Sequence, residues 1–136
     1  MDKIKKSFCL INGAVCLLDK NSFIFMCTTS KCQDLHENLE RIFHLLKEKE
    51  PDLVLVGGDV IVGKKGCDTS KAFAFLKRLS ENYPVFYASG NHEQRISEHP
   101  EIYGEIGKNY ETALKELPLI RLRNQKVQLE KKGIPI

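Results

Sequence analysis

Two short stretches constrain the fold of this chain more than anything else in it. Asp52-Leu53-Val54-Leu55-Val56-Gly57-Gly58-Asp59 and Pro84-Val85-Phe86-Tyr87-Ala88-Ser89-Gly90-Asn91-His92-Glu93 are each a β-prone apolar run that passes through glycine into a polar cluster. Neither run alternates with polar residues, which is how strands buried on both faces of a parallel sheet read. Open α/β sheets bind ligands at the carboxyl ends of such strands. Asp, Asn and His arriving there together are the oxygen and nitrogen donors that a divalent metal takes.

The remaining pattern agrees with that sheet. Ser22 to Cys27 reads as a strand and Thr28 to Gln33 as a loop. Leu35, Leu39, Ile42, Phe43, Leu45 and Leu46 recur at helical spacing, which predicts a helix over 35–49 closed by Pro51. Val60 to Ser70 reads as loop, with Thr69 or Ser70 as the cap of a second helix whose apolar face is Ala72, Phe73, Phe75, Leu76 and Leu79. A third helix is expected over 105–117, then short strands at Leu119–Leu122 and Lys126–Leu129 around Arg123-Asn124. Strands and helices in alternation predict a three-layer α/β arrangement with a largely parallel sheet.

The chain of 136 residues is long enough for one domain with a real core. Its net charge of +3, carried by scattered Lys and Arg, is too small to argue for a nucleic-acid partner. The five cysteines are odd in number and contain no Cys-x-x-Cys, which argues against a disulfide framework or zinc knuckle and for a reducing, cytoplasmic setting. Residues 1–21 form a separate unit. Lys3, Lys5 and Lys6 precede an apolar stretch, Phe8 to Leu18, broken by Asn12-Gly13. Asn-Gly between apolar runs predicts a hairpin; the alternative is a weak targeting segment and a membrane-associated protein. Residues 22–136 are the main domain.

A strand ending in Gly58-Asp59, followed by a strand ending in Gly90-Asn91-His92-Glu93, resembles the calcineurin-like metallophosphoesterase superfamily. The likeness continues in Lys49-Glu50-Pro51-Asp52, in Arg95 to Glu101 and in Leu122 to Glu130, which are similar to its single-domain bacterial branch, often tethered at a membrane. The resemblance implies an α/β fold with a metallophosphoesterase-type sheet and flanking helices, the first half of a four-layer α/β sandwich. It implies metal-dependent hydrolysis of a phosphate ester through a metal-bound hydroxide, with two divalent ions (Mn, Fe or Zn). It assigns Asp59 to bridge the metals, Asn91 to ligate one, and His92 to assist catalysis beside the substrate. Glu93 is expected to cap or orient rather than ligate.

The family also carries an Asp-x-His after its first strand. Asp34-Leu35-His36 has that wording, which would make Asp34 and His36 metal ligands. Asp34 with Glu37 is equally a capping box for the following helix, and counting from the strand end puts Thr29 and Lys31 at the ligand positions. His44 and His99 are not expected to ligate. The family's later motifs, a lone His and a Gly-His-x-His, have no counterpart after His99. The competing expectation is therefore a catalytically incomplete module that works through a partner, with an exposed sheet face open to self-association. A nucleotide-binding α/β domain is the third reading, and neither Gly57-Gly58-Asp59 nor Gly63-Lys64-Lys65-Gly66 has a phosphate-loop spacing.

Overall fold

A computed structural model describes residues 7–11, 14–18, 23–27, 35–64, 68–131 and 134–135, with side chains described between Leu39 and Glu130. The elements are β1 (Ser7–Ile11), β2 (Ala14–Leu18), β3 (Phe23–Cys27), α1 (Leu35–Lys49), β4 (Leu53–Val56), α2 (Ser70–Asn82), β5 (Val85–Ala88) and α3 (Asn91–Glu98). A 3-10 turn (Pro100–Tyr103), α4 (Glu105–Lys115), β6 (Ile120–Leu122), β7 (Glu130–Lys131) and β8 (Ile134–Pro135) follow.

The main sheet runs β1-β2-β3-β4-β5-β6 in chain order. Its first three strands pair antiparallel, and β3 through β6 are parallel. Ile11 pairs with Ala14 across the β1–β2 connection, whose Asn12-Gly13 lies outside the described residues. Each parallel step adds its strand to the same edge through a helical crossover. Right-handed crossovers repeated in one direction put every helix on one face, so the described elements build two layers rather than the three that the alternation of strands and helices predicts. The packing follows: Val54 and Val56 of β4 and Val85 and Tyr87 of β5 form one buried cluster with Ile42, Leu46, Phe75, Leu79, Ile96, Tyr110 and Leu114 from all four helices. The opposite face carries Leu55, Phe86 and Ile120 side by side in register. Phe86 is buried there, while Ile120 is 46% exposed.

Helices α1 and α2 meet through Phe43 and Phe75, edge to face with ring centroids 5.4 Å apart. Arg78 lies 3.9 Å over the Phe43 ring and 2.7 Å from Glu40 Oε1, sealing the seam at the surface.

Three local expectations need correction, and one helix is added. Thr69 caps α2 by position but makes no side-chain cap bond; Asp68 Oδ1 instead accepts from the Ser70 N–H at 2.9 Å and the Ser70 hydroxyl at 2.5 Å. Those bonds hold the Asp68 carboxyl below its ordinary pKa. The last helix ends at Lys115 rather than 117, because the residue before Pro118 is kept out of helical backbone. Lys126–Leu129 is unpaired; the pairing falls later, between Glu130–Lys131 and Ile134–Pro135. Asn91–Glu98 is a helix that apolar periodicity could not show, since its buried residues are only Glu93 and Ile96. Among the described residues no helix is long and apolar enough to cross a membrane.

Leu76 is fully buried at the centre of the helical face. Leu76→Ala is expected to cost about 2–5 kcal/mol of stability, read as a lowered urea midpoint. A change below about 1 kcal/mol, the usual range of surface substitutions, would place Leu76 outside the core.

Candidate metal centre

The two polar clusters arrive at the same edge of the sheet, because β4 and β5 are adjacent and parallel. After Val56 the chain turns through Gly58 at φ 88° and Asp59 at φ 57°. After Ala88 it passes through Ser89-Gly90 and enters α3 at Asn91. The two loops are in backbone contact. A Cβ on Gly58 would overlap the Gly90 backbone, and a Cβ on Gly90 would overlap the Asp59 carboxylate and amide. Glycine is thus required at both positions by close approach, and at Gly58 also by its left-handed backbone. Asp is among the few other residues that tolerate that region, at a cost of about 1–2 kcal/mol.

Glu93 holds the arrangement together. Its side chain is fully buried. Oε1 accepts from the N–H of Val60 at 2.8 Å and of Ile61 at 2.9 Å. Oε2 accepts from the N–H of Asp59 at 2.8 Å and of Gly90 at 3.0 Å. A carboxylate is acceptor-only and takes about four such bonds, so one side chain satisfies the donors of both loops. The Gly90 bond is also half of a capping box, since Glu93 is the third residue of α3. Glu93 orients the loops, as expected from its place in the motif.

Asp59 and the start of α3 converge. Asp59 Oδ1 accepts from the His92 N–H at 3.1 Å, which sets the carboxylate against the first turn of the helix. Asn91, the first residue of α3, is exposed, and His92 is half-buried. The three residues offer a carboxylate, an amide oxygen and an imidazole within one loop pair, a donor set that fits a divalent ion of the Mn, Fe or Zn kind. Among the described residues no group of three or more His, Cys, Asp and Glu is placed to hold a metal. Asp34 lies outside the described residues, as does the side chain of His36 in the first turn of α1. His44 is exposed on α1, and His99 ends α3 with Nδ1 3.7 Å from Glu101.

Behind Glu93 stand two tyrosines. The Tyr87 hydroxyl is buried and reaches hydrogen-bonding geometry with no partner, although it lies near Glu93 and Tyr110. Burial first, and the neighbouring Glu93 charge second, raise its pKa far above the ordinary value. Burial also raises Tyr110. Both phenols are fully buried behind the Glu93 carboxylate.

One cluster had no signature in the sequence. Glu111 on α4 receives Arg121 at 2.6 and 3.2 Å, Arg123 at 2.9 Å and the Ser97 hydroxyl at 2.8 Å. The Arg121 hydrogen bond is the main cause holding the Glu111 carboxyl at about 2, below its ordinary 4.5. Because the folded value is the lower one, this contribution to stability is complete above the ordinary value and is lost as pH falls toward the folded one.

Two outcomes are expected. Glu93→Gln places an amide NH2 opposite two of the four N–H groups, and should cost about 1–3 kcal/mol in denaturant unfolding; a neutral result would show that the four bonds do not hold the loops. Glu111→Gln should reduce the loss of stability between about pH 5 and about pH 3. An unchanged pH slope would show that another carboxylate carries it.

The calcineurin-like phosphoesterase family model matches residues 32–135. The comparisons with curated proteins and with solved structures gave no match. The matched span contains both polar clusters and the loops that Glu93 ties together. It covers most of the chain, which belongs to the calcineurin-like phosphoesterase family.

Proposed function

We propose that this chain binds a divalent metal through Asp59 and Asn91 and presents it to a phosphate ester, with His92 beside the phosphoryl group. The family is one of phosphoesterase-type hydrolases that generally depend on divalent metals. The observation that carries the reading is the docking of the Asp59 carboxylate on the His92 N–H. It brings an anionic oxygen donor, an amide and an imidazole to one strand edge. A carboxylate has lone pairs beyond the one used by that bond. A bound divalent ion polarises phosphoryl oxygens and makes water more acidic. The residues themselves do the positioning. Gly58 and Gly90 keep side chains out of the space beside Asp59, and Glu93 holds its backbone. The imidazole of His92 has both a donor and an acceptor nitrogen with which to take or give a proton at a leaving oxygen. Asp34 and His36 extend the same donor set in this proposal.

A second reading is a partner-dependent module. It is favoured by the donor set itself, in which Asp59 is the one carboxylate among Asp59, Asn91 and His92. In-line displacement is best stabilised when both attacking and leaving oxygens are clamped, and these residues provide one side of such a clamp.

Titration with Mn separates the possibilities. Asp59→Asn should weaken Mn affinity by about tenfold or more, which is ~1.4 kcal/mol; no effect, or no Mn binding by the native chain, would remove the metal reading. On an aryl phosphodiester with Mn, turnover by the chain alone should fall well below the ordinary enzyme value of about 10 per second. Turnover near that value, abolished in Asp59→Ala, would show a complete site and remove the partner-dependent reading.

A further inference from the structure

The carboxyl edge of the sheet continues past the metal centre into a groove of about 730 Å³. It runs from Ser89, the residue before Gly90, along α3 to β6 and the segment that follows. Ser97 and Glu98 form one wall, and Arg121, Arg123 and Lys126 form the other. The size is that of a small-molecule site. Asp59, Asn91 and His92 are not among its lining residues.

Its charge is unbalanced. Glu111, behind the wall, is the one carboxylate bonded to both Arg121 and Arg123. It cannot neutralise two guanidiniums. Arg121 is held in place by it, with the Nε buried and unpartnered. Arg123 reaches it with one terminal nitrogen and remains 58% exposed. Lys126 is exposed on the same wall. Glu98, the acid on the facing wall, is engaged by the Gln94 amide at 2.8 Å. The surplus positive charge therefore faces the groove. Among the described residues the lining has hydroxyls and amides from Ser89, Ser97, Gln94, Asn124 and Gln125 beside Ala88 and Leu122, and no aromatic ring. Guanidinium forks and a mobile ammonium recognise phosphate or carboxylate oxygens.

We infer that this groove binds a second anionic group of the substrate, outside the scissile phosphate. Building on the metal-centre proposal, this makes the substrate class a phosphate ester whose remaining portion is polar and itself negatively charged. Ser89 and Gly90 join the two subsites: one lines the groove, and the other packs on the Asp59 carboxylate.

The test has two arms on the full chain. In the first, inorganic phosphate is titrated into metal-free protein while backbone amide NMR signals are followed. Signals of Ser89, Ser97 and residues 123–126 should move. Arg123→Gln with Lys126→Gln, both at exposed positions, should weaken binding by about threefold to tenfold, the range for two solvent-facing charge contacts. Asp59→Asn should leave this arm unchanged. Shifts confined to other regions, or equal binding by the double variant, would overturn the groove assignment. In the second arm, Mn-loaded protein is titrated with phosphate and with propane-1,3-diol bisphosphate. The bisphosphate should bind at least about tenfold more tightly, and the gain should vanish in the double variant. A gain that persists there would overturn the link to the metal centre. Loss of Mn binding with the first arm intact would remove the metal proposal and leave the anion site standing.

Discussion

The structure of the site depends on one buried carboxylate. Glu93 accepts four backbone N–H bonds from two different loops. Removing a carboxylate from water costs several kcal/mol unless it is well hydrogen-bonded. Two consequences follow from meeting that cost with backbone donors rather than a cation. The loop after β4 is tied to the loop after β5, so Asp59 and Asn91 cannot drift apart without breaking bonds to a fully buried group. And these four bonds to the Glu93 carboxylate come from backbone amides, so the tie between the loops uses no lysine or arginine side chain.

The sheet topology explains why the site sits where it does. Strands β3 to β6 are added in one direction, and the helices cover one face. The carboxyl ends of β4 and β5 then lie side by side. The side with Val54, Val56, Val85 and Tyr87 is closed by helices, while the side with Leu55, Phe86 and Ile120 is not part of that cluster. One face of the sheet thus carries the helical layer and the other an apolar surface.

Much of this was legible from residue order because the signals were periodic. The uninterrupted apolar runs at 53–56 and 85–88 are strands, and the spacing from Leu35 to Leu46 is a helix. The glycine-led motifs pointed to Asp59, Asn91 and His92, and the fold brings Asp59 to the start of α3. Periodicity failed where burial was polar. Helix α3 has a glutamate at the centre of its buried face, so no apolar stripe marks it. Asp68 displaced Thr69 as the capping side chain because its carboxylate reaches both the amide and the hydroxyl of Ser70. The cluster around Glu111 joins residues 97, 111, 121 and 123 from α3, α4, β6 and the segment after it, and no local spacing encodes such a meeting.

The two engaged glutamates divide the edge electrostatically. Glu93 is satisfied by backbone dipoles and leaves its negative charge beside Asp59. Glu111 is satisfied by guanidiniums, and it is one charge against two. The edge therefore runs from acidic at the β4 and β5 loops to basic along β6, and Ser89 marks the change between them. In the function proposed above, a cation occupies the first end and an anion the second. A phosphate ester with a further negative group spans both kinds of potential at once: its scissile oxygens against the metal and its second anion against Arg123 and Lys126. Interactions with a part of the substrate that does not react can be used to hold the reacting part in place. That is the use the proposal gives to a basic wall built one residue away from the glycine that packs on Asp59.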